Sequence, residues 1–295
     1  MLAMNTQAQA RMVAAMPTTD GAGVHIHRAI GTPALRHLDP FLLLDHLHST
    51  GTDRVAGFPD HPHRGMCTLT YMLRGSMQHR DSMGHRDTVH AGGIQWMQAA
   101  HGVIHAEMPQ PDDGELLGFQ LWLNLPAAAK LSAPAYSQHQ AADLPYWQQR
   151  DGNQNWSMRL LLGSHAGHHA PVQDAHTDAL LLDVRLGDLH GADPHKGSQQ
   201  ELVLPWRSDH TGFAYCYEGN VALAGQTLPA RHLLPLPATN RLVLSSQQSA
   251  RLLLASGRPL REPIVQGGPF VMNTQAEIVQ AIADYRNGTL TRMTA

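Results

Sequence analysis

The feature that most constrains this chain is the way its apolar residues are punctuated. Helical periodicity is rare until the end. Short apolar runs follow one another instead, broken by Gly, Pro, Asn and Asp. They include Met66–Arg74, Gly93–Met97, Leu116–Asn124, Met158–Leu162, Ala179–Leu186, Gly212–Tyr217, Arg241–Leu244 and Arg251–Ala255. Runs of this kind at close spacing predict an all-β chain built as sandwiches or barrels. They fall into two groups, about 22–126 and about 156–257, joined by the Pro-, Gln- and Ala-rich stretch Pro126–Asp151. A length of 295 residues suits two domains. No close internal repeat is visible.

The tail breaks the pattern. Thr274-Gln-Ala-Glu277 is a capping box, in which the Thr hydroxyl takes a free helix N–H and the Glu reaches back. Ile278, Ala281, Ile282 and Tyr285 then fall on one helical face, and Asn287-Gly288 supplies a stop. This predicts a short amphipathic helix docked on a barrel.

Several function classes are disfavoured by composition. A net charge of −3 supplies no basic field for gripping phosphates, so nucleic acid is not expected as a direct partner. No apolar run approaches the roughly 20 residues of a membrane helix, and the first residues lack a signal-peptide pattern. Met1 and Met4 are both candidate starts. Only two cysteines, Cys67 and Cys216, argue against a disulfide scaffold and for a reducing cytoplasm. No strand-edge or coiled-coil signal argues for assembly, so a monomer is expected.

Histidine is the outlier, with 21 residues. His61-Pro-His63 has the spacing that puts two imidazoles on the same side of a strand. His105-Ala-Glu107 repeats that spacing about forty residues later, with strand and turn signals between. A barrel that joined the two strands would set three imidazoles and one carboxylate around an ion. That donor set suits Fe(II), Mn, Ni, Cu or Zn. From spacing alone, two unrelated pairs of half-exposed polar residues fit as well. His25-Ile-His27 has the same spacing without a companion pair, and it reads as an exposed strand edge.

A set of motifs occurs in order along the chain: Asp20-Gly-Ala-Gly, Arg28-Ala-Ile-Gly, Leu38-Asp-Pro-Phe-Leu-Leu-Leu-Asp45, Gly57-Phe-Pro-Asp-His-Pro-His-Arg-Gly65, His79-Arg-Asp-Ser-Met-Gly84, Gln95-Trp-Met97, His105-Ala-Glu-Met-Pro109 and Gln120-Leu-Trp-Leu-Asn124. Gly257-Arg-Pro-Leu-Arg-Glu-Pro263 and Gly268-Pro-Phe-Val-Met-Asn-Thr274 close the series. Together they resemble the pirin family over nearly the whole chain, fading between about 126 and 250.

The resemblance implies a bicupin, two facing jelly-roll barrels with a short C-terminal helix. The expected boundaries are 1–130 for a metal-binding barrel, 131–257 for a barrel without metal, and 258–295 for a segment packing back on the barrels. The family's ligands fall on His61, His63, His105 and Glu107, with iron as the usual metal. The second barrel offers His190, His195, His210 and His232 without paired spacing. The implied activity resembles that of quercetin 2,3-dioxygenases, acting on a flavonol or enediol-like small molecule with Glu107 as the base. The alternative is a metal- and redox-responsive regulator acting through a protein partner.

Two positions depart from the family pattern. Cys67 stands where relatives commonly keep a Glu, and on a regular strand it would share a face with His61 and His63. It reads either as a soft ligand or oxidisable neighbour, or as a small core residue. His101, on the loop before His105, is expected at a pocket rim or on the surface.

Overall fold

The computed structural model describes residues 11–50, 57–112, 114–151, 154–187 and 200–292. These fall into two compact units. One gathers the described residues of Met16–Pro145, Leu160–Leu180 and Gly257–Ala295; the other gathers those of Met1–Ala15, Tyr146–Arg159 and Leu181–Ser256.

The first unit is built mainly from two antiparallel sheets. The larger runs in the order Ala135–His139, Ile94–Gln98, Met66–Arg74, Glu115–Asn124, Phe41–Thr50, Val24–Ile30, Met16–Asp20. The smaller runs Phe58–His63, Val103–Gln110, Ser76–Asp81, Arg86–His90. Alternation sends one face of each strand inward. Val24, Ile26, Leu47, Met72, Met77, Val89 and Leu116 form one buried cluster. Leu42, Leu43, Met66, Met97, Val103, Trp122 and Val271 form another. The second unit repeats the plan. Its large sheet is centred on Thr211–Glu218, Ala250–Gly257 and Leu180–Leu186, and its small sheet runs Gln200–Pro205, Arg241–Ser246, Asn220–Leu223, Gln226–Pro229.

Every apolar run singled out in the sequence is a strand, with ends shifted by a few residues at most. The Pro126–Asp151 stretch is more structured than its composition suggests, because it contributes the strands Ala135–His139 and Tyr146–Asp151. His25 and His27 do not lie on an edge. Their strand, Val24–Ile30, is paired on both sides, with Met16–Asp20 and Phe41–Thr50. Among the described residues, no helix is long and apolar enough to cross a membrane.

The C-terminal helix spans Gln275–Arg286 and its capping box is formed. Glu277 Oε2 accepts from Thr274 N at 2.8 Å, and Thr274 Oγ1 accepts from Glu277 N at 3.3 Å. Ile278 and Ala281 are buried with Phe270, Met272 and Leu290. Tyr285, on the same face, is 40% exposed, and its ring meets Phe270 edge-on with centroids 6.5 Å apart.

The segment before this helix clamps the strand that carries His63. Val271 N donates to Arg64 O at 3.0 Å. Gly65 has φ +83°, and a Cβ there would lie 2.0 Å from Val271 O. Lys130 is buried, and its Nζ donates to Gly65 O (2.7 Å), Asn124 Oδ1 (2.6 Å) and Val271 O (2.9 Å). Burial pulls its pKa down to about 8.

Candidate metal centre

The small sheet of the first unit brings the two sequence pairs together. The central strand Val103–Gln110 runs antiparallel to Phe58–His63, with His105 directly opposite His61 and Val103 opposite His63. The register shifts between His105, opposite His61, and Glu107, opposite Phe58, so the extra residue lies on the strand of His61. On its other side the same strand places His105 opposite Asp81 and Glu107 opposite His79.

Three imidazoles converge. Ring centroids lie 4.8 Å apart for His61 and His63, 4.3 Å for His61 and His105, and 5.0 Å for His63 and His105. One ring nitrogen from each lies within 4.8 Å of the others. Hydrogen bonds set two of the tautomers. His61 Nδ1 is 2.8 Å from Pro59 O, and His63 Nδ1 is 3.3 Å from Pro269 O. A carbonyl oxygen only accepts, so each Nδ1 carries the hydrogen and each Nε2 keeps its lone pair. His105 is fully buried, and neither of its ring nitrogens has a hydrogen-bond partner among the described residues. A buried imidazole left open at both nitrogens calls for a ligand.

The electrostatics agree with that. Burial, and then the neighbouring His61, lower the His63 pKa to about 3. Burial, and then His63, His61 and His79, hold His105 well below the usual imidazole range. Both rings are therefore neutral, the form that binds a metal.

Glu107 stands slightly apart. It does not join the mutual group of His61, His63 and His105; it forms a second group with His105 and His79, again within 4.8 Å. Its carboxylate is held by three donors: Thr70 Oγ1 to Oε1 (3.0 Å), Gln95 Nε2 to Oε1 (3.3 Å) and Gln120 Nε2 to Oε2 (2.7 Å). Two carboxylate oxygens offer about four acceptor positions, so one remains for an ion. The donor set of three imidazoles and one fixed carboxylate fits a first-row divalent metal.

His79, Thr70, Gln95 and Gln120 carry no role in the sequence reading, yet all surround Glu107. His79-Arg-Asp81 has the same two-residue alternation as the ligand pairs, and that spacing is the signal for it. Asp81 accepts from His79 Nε2 at 3.1 Å and pairs with His85 Nδ1 at 2.9 Å. Burial pushes the Asp81 carboxyl up, but the hydrogen bonds from His79 and His85 outweigh it and leave it below its ordinary range.

Cys67 does not share the ligand face. The strand is interrupted at Arg64–Gly65, which restarts the alternation. On Met66–Arg74 it is Thr70 that reaches Glu107, so the odd-numbered side chains point the other way. Cys67 is 1% exposed and lies outside both ligand groups. Burial, then Asp174, drive its thiol pKa well up. It is a small core residue and not a reactive thiolate. His101 lines a separate cavity of about 460 Å³ with Arg64, Leu131, Met272 and Asp284. In the second unit, His210 Nδ1 pairs with Ser256 Oγ at 3.4 Å and His232 Nδ1 with Ala230 O at 3.0 Å; His190 and His195 lie outside the described residues.

Two cupin domains, one carrying on its small sheet a histidine-rich cluster able to hold a metal ion, define a cupin protein. Family profiles narrow this. The profile described as Pirin matches residues 23–123, and that described as Pirin C-terminal cupin domain matches 193–291. A pirin-like protein of Caulobacter vibrioides is 39% identical over 280 residues, covering 94% of this chain and 97% of that one. Pirin of Homo sapiens is 36% identical over 275 residues, covering 91% and 89%. The crystal structure of a quercetin 2,3-dioxygenase from Acinetobacter baumannii superposes with a TM-score of 0.83 at 29% identity, covering 97% of this chain and 99% of that one. The chain belongs to the pirin family.

Proposed function

We propose that the chain is a metal-dependent dioxygenase of the quercetin 2,3-dioxygenase type, with iron held by His61, His63, His105 and Glu107. The observation that carries this reading is His105, buried with both ring nitrogens open, between His61 and His63 on one side and Glu107 on the other. The likeness to the Acinetobacter baumannii enzyme supports the reaction class. A bound iron would supply Lewis acidity and dioxygen chemistry.

The chain's own residues do the rest. His61, His63 and His105 present neutral nitrogens from adjoining strands, so no proton has to leave them first. Glu107 is the catalytic residue: one of its oxygens takes the proton of a substrate hydroxyl, as the 3-hydroxyl of a flavonol or an enediol requires. With three donors already on this carboxylate, taking that proton while ligating requires one donor to turn away. The Thr70 hydroxyl does this by rotating about its own C–O bond. Trp122 packs edge-on against His63, with centroids 5.0 Å apart, and helps to keep water from that ring. Two free, buried cysteines support a cytoplasmic setting.

The test is anaerobic loading with Fe(II), followed by a flavonol absorbance assay on admitting dioxygen. Turnover by the wild type and its loss in Glu107→Ala support the reading. Full metal loading with full turnover in Glu107→Ala would remove the catalytic role of Glu107. A loaded wild type that leaves flavonol untouched would remove the reaction class.

A further inference from the structure

A line of hydrogen bonds leads from the surface to Glu107. His85, with 38% of its side chain exposed, meets Asp81 Oδ2 at 2.9 Å. His79 Nε2 meets the same oxygen at 3.1 Å, and neither of these two side chains is exposed. Gln95 Nε2 lies 3.0 Å from His79 Nδ1 and 3.3 Å from Glu107 Oε1. Both imidazoles stack on Tyr136, at 4.4 Å for His79 and 4.7 Å for His85, which fixes the ring planes.

The direction of every bond in this line follows from Asp81. An ionised carboxylate only accepts, so the hydrogen of His79 sits on Nε2 and its Nδ1 is an acceptor. Gln95 must then turn its NH₂ group to His79, which aims the second amide hydrogen at Glu107. The opposite amide orientation would set Gln95 Oε1 against a carboxylate. Gln95 Oε1 is in fact buried with no partner among the described residues. The amide is therefore oriented by its two acceptors and by nothing on its carbonyl side.

We infer that Asp81 and His79 are positioning residues of the metal centre: acting through Gln95, they hold Glu107 with its remaining lone pair toward the ion. The inference rests on the ligand set proposed above. It goes beyond that set by giving a role to the motif His79-Arg-Asp81, none of which is required to ligate.

The variant that tests it is Asp81→Asn. Asp81 Oδ1 already accepts from the backbone N–H groups of Met83 (2.8 Å) and His85 (3.1 Å). Those two donors keep the Asn oxygen in that position, so its NH₂ falls where Oδ2 was and faces His79 Nε2. The tautomer of His79 then reverses, Gln95 is driven to flip, and its Oε1 is turned on Glu107. The volume of the side chain is unchanged.

The experiment measures Co(II) affinity and the visible ligand-field spectrum of the loaded protein, in wild type, Asp81→Asn, Gln95→Leu and the double variant. Asp81→Asn and Gln95→Leu should each bind cobalt about 10- to 100-fold more weakly, with a shifted spectrum. The double variant should be no worse than Gln95→Leu alone. Losses that multiply would overturn the inference, since Asp81 and His79 would then act independently of Gln95, as they would if His79 were itself a ligand. A wild-type spectrum and affinity in Asp81→Asn would overturn it too, whatever happens to the melting temperature. If Asp81→Asn does not fold, His79→Gln carries the same expectation and the same refutation. A wild type that takes up no stoichiometric cobalt overturns the ligand set itself, and the inference with it; a wild type that loads normally beside unaffected variants overturns the inference alone.

Discussion

Replacing Gly65 by Ala attacks the joint between the strand of His63 and the C-terminal segment. Gly65 sits at φ +83°, where an L side chain strains the backbone by about 1–2 kcal/mol. The new Cβ would also stand 2.0 Å from Val271 O, 2.9 Å from Met272 Sδ and 3.1 Å from Val271 C. Backbone cannot yield as a flexible side chain does, so Val271 must withdraw. Its N–H then loses Arg64 O, now at 3.0 Å, and its carbonyl loses Lys130 Nζ, now at 2.9 Å. A neutral hydrogen bond contributes about 0.5–1.5 kcal/mol and one to a charged group about 1.5–3 kcal/mol. With the strain, the destabilisation is about 3–6 kcal/mol, a fall of roughly 10–20 °C in the melting of a unit of this size. The control is Gly84→Ala. Gly84 has φ +97° and nothing within 4 Å of a Cβ, so it carries the strain without the collision. Thermal unfolding of both variants, free of metal, isolates the clamp. A Gly65→Ala transition within about 1 kcal/mol of the Gly84→Ala transition would mean that the contact of Gly65 with Val271 is not a clamp.

Other expectations follow from the same geometry. Because the pKa of His63 falls from 6.5 to about 3 and that of His105 also falls, the unfolded chain binds more protons than the folded one below pH 6.5. Metal-free stability should therefore drop as pH falls from about 6.5, with a slope approaching about 1.4 kcal/mol per unit for each group. Denaturant midpoints unchanged between pH 6.5 and 4 would contradict this. Cys67 should resist thiol reagents and peroxide in the folded protein, and rapid stoichiometric labelling would return it to the list of redox sensors. Lys130→Met should loosen the contact of Gly65 and Val271 and raise hydrogen exchange in Val265–Gly267 and Phe270–Met272; unchanged exchange there would mean that the ammonium is not what ties these strands down.

Much of the fold is legible in the sequence because a β run bounded by turn residues has few other ways to satisfy its backbone. Met66–Arg74 is legible to the residue, and the capping box of Thr274 and Glu277 announces its helix. The clustering of the two histidine-bearing pairs is legible for the same reason: alternation puts His61 on a side with His63, and His105 on a side with Glu107. Cross-strand register is not written in one strand. Which residue of Ser76–Asp81 stands opposite Glu107 depends on how that strand pairs with Val103–Gln110, so spacing alone gives His79 no role. Of the two readings of Cys67, the small core residue is the one the structure shows, because the left-handed backbone of Gly65 breaks the alternation that would set it beside His61 and His63. The composition of Pro126–Asp151 does not record that Ala135–His139 is an added strand beside Ile94–Gln98.

The proposed function stands or falls with a single ion held by His61, His63, His105 and Glu107. Anomalous diffraction from crystals of the iron-loaded protein, recorded on either side of the iron edge, tests it most directly. One peak per chain is expected, about 2.0–2.3 Å from a nitrogen of each of the three histidines and an oxygen of Glu107, with His79 outside bonding distance. A peak bonded to His79 in place of Glu107, or one lying away from His105, would contradict it.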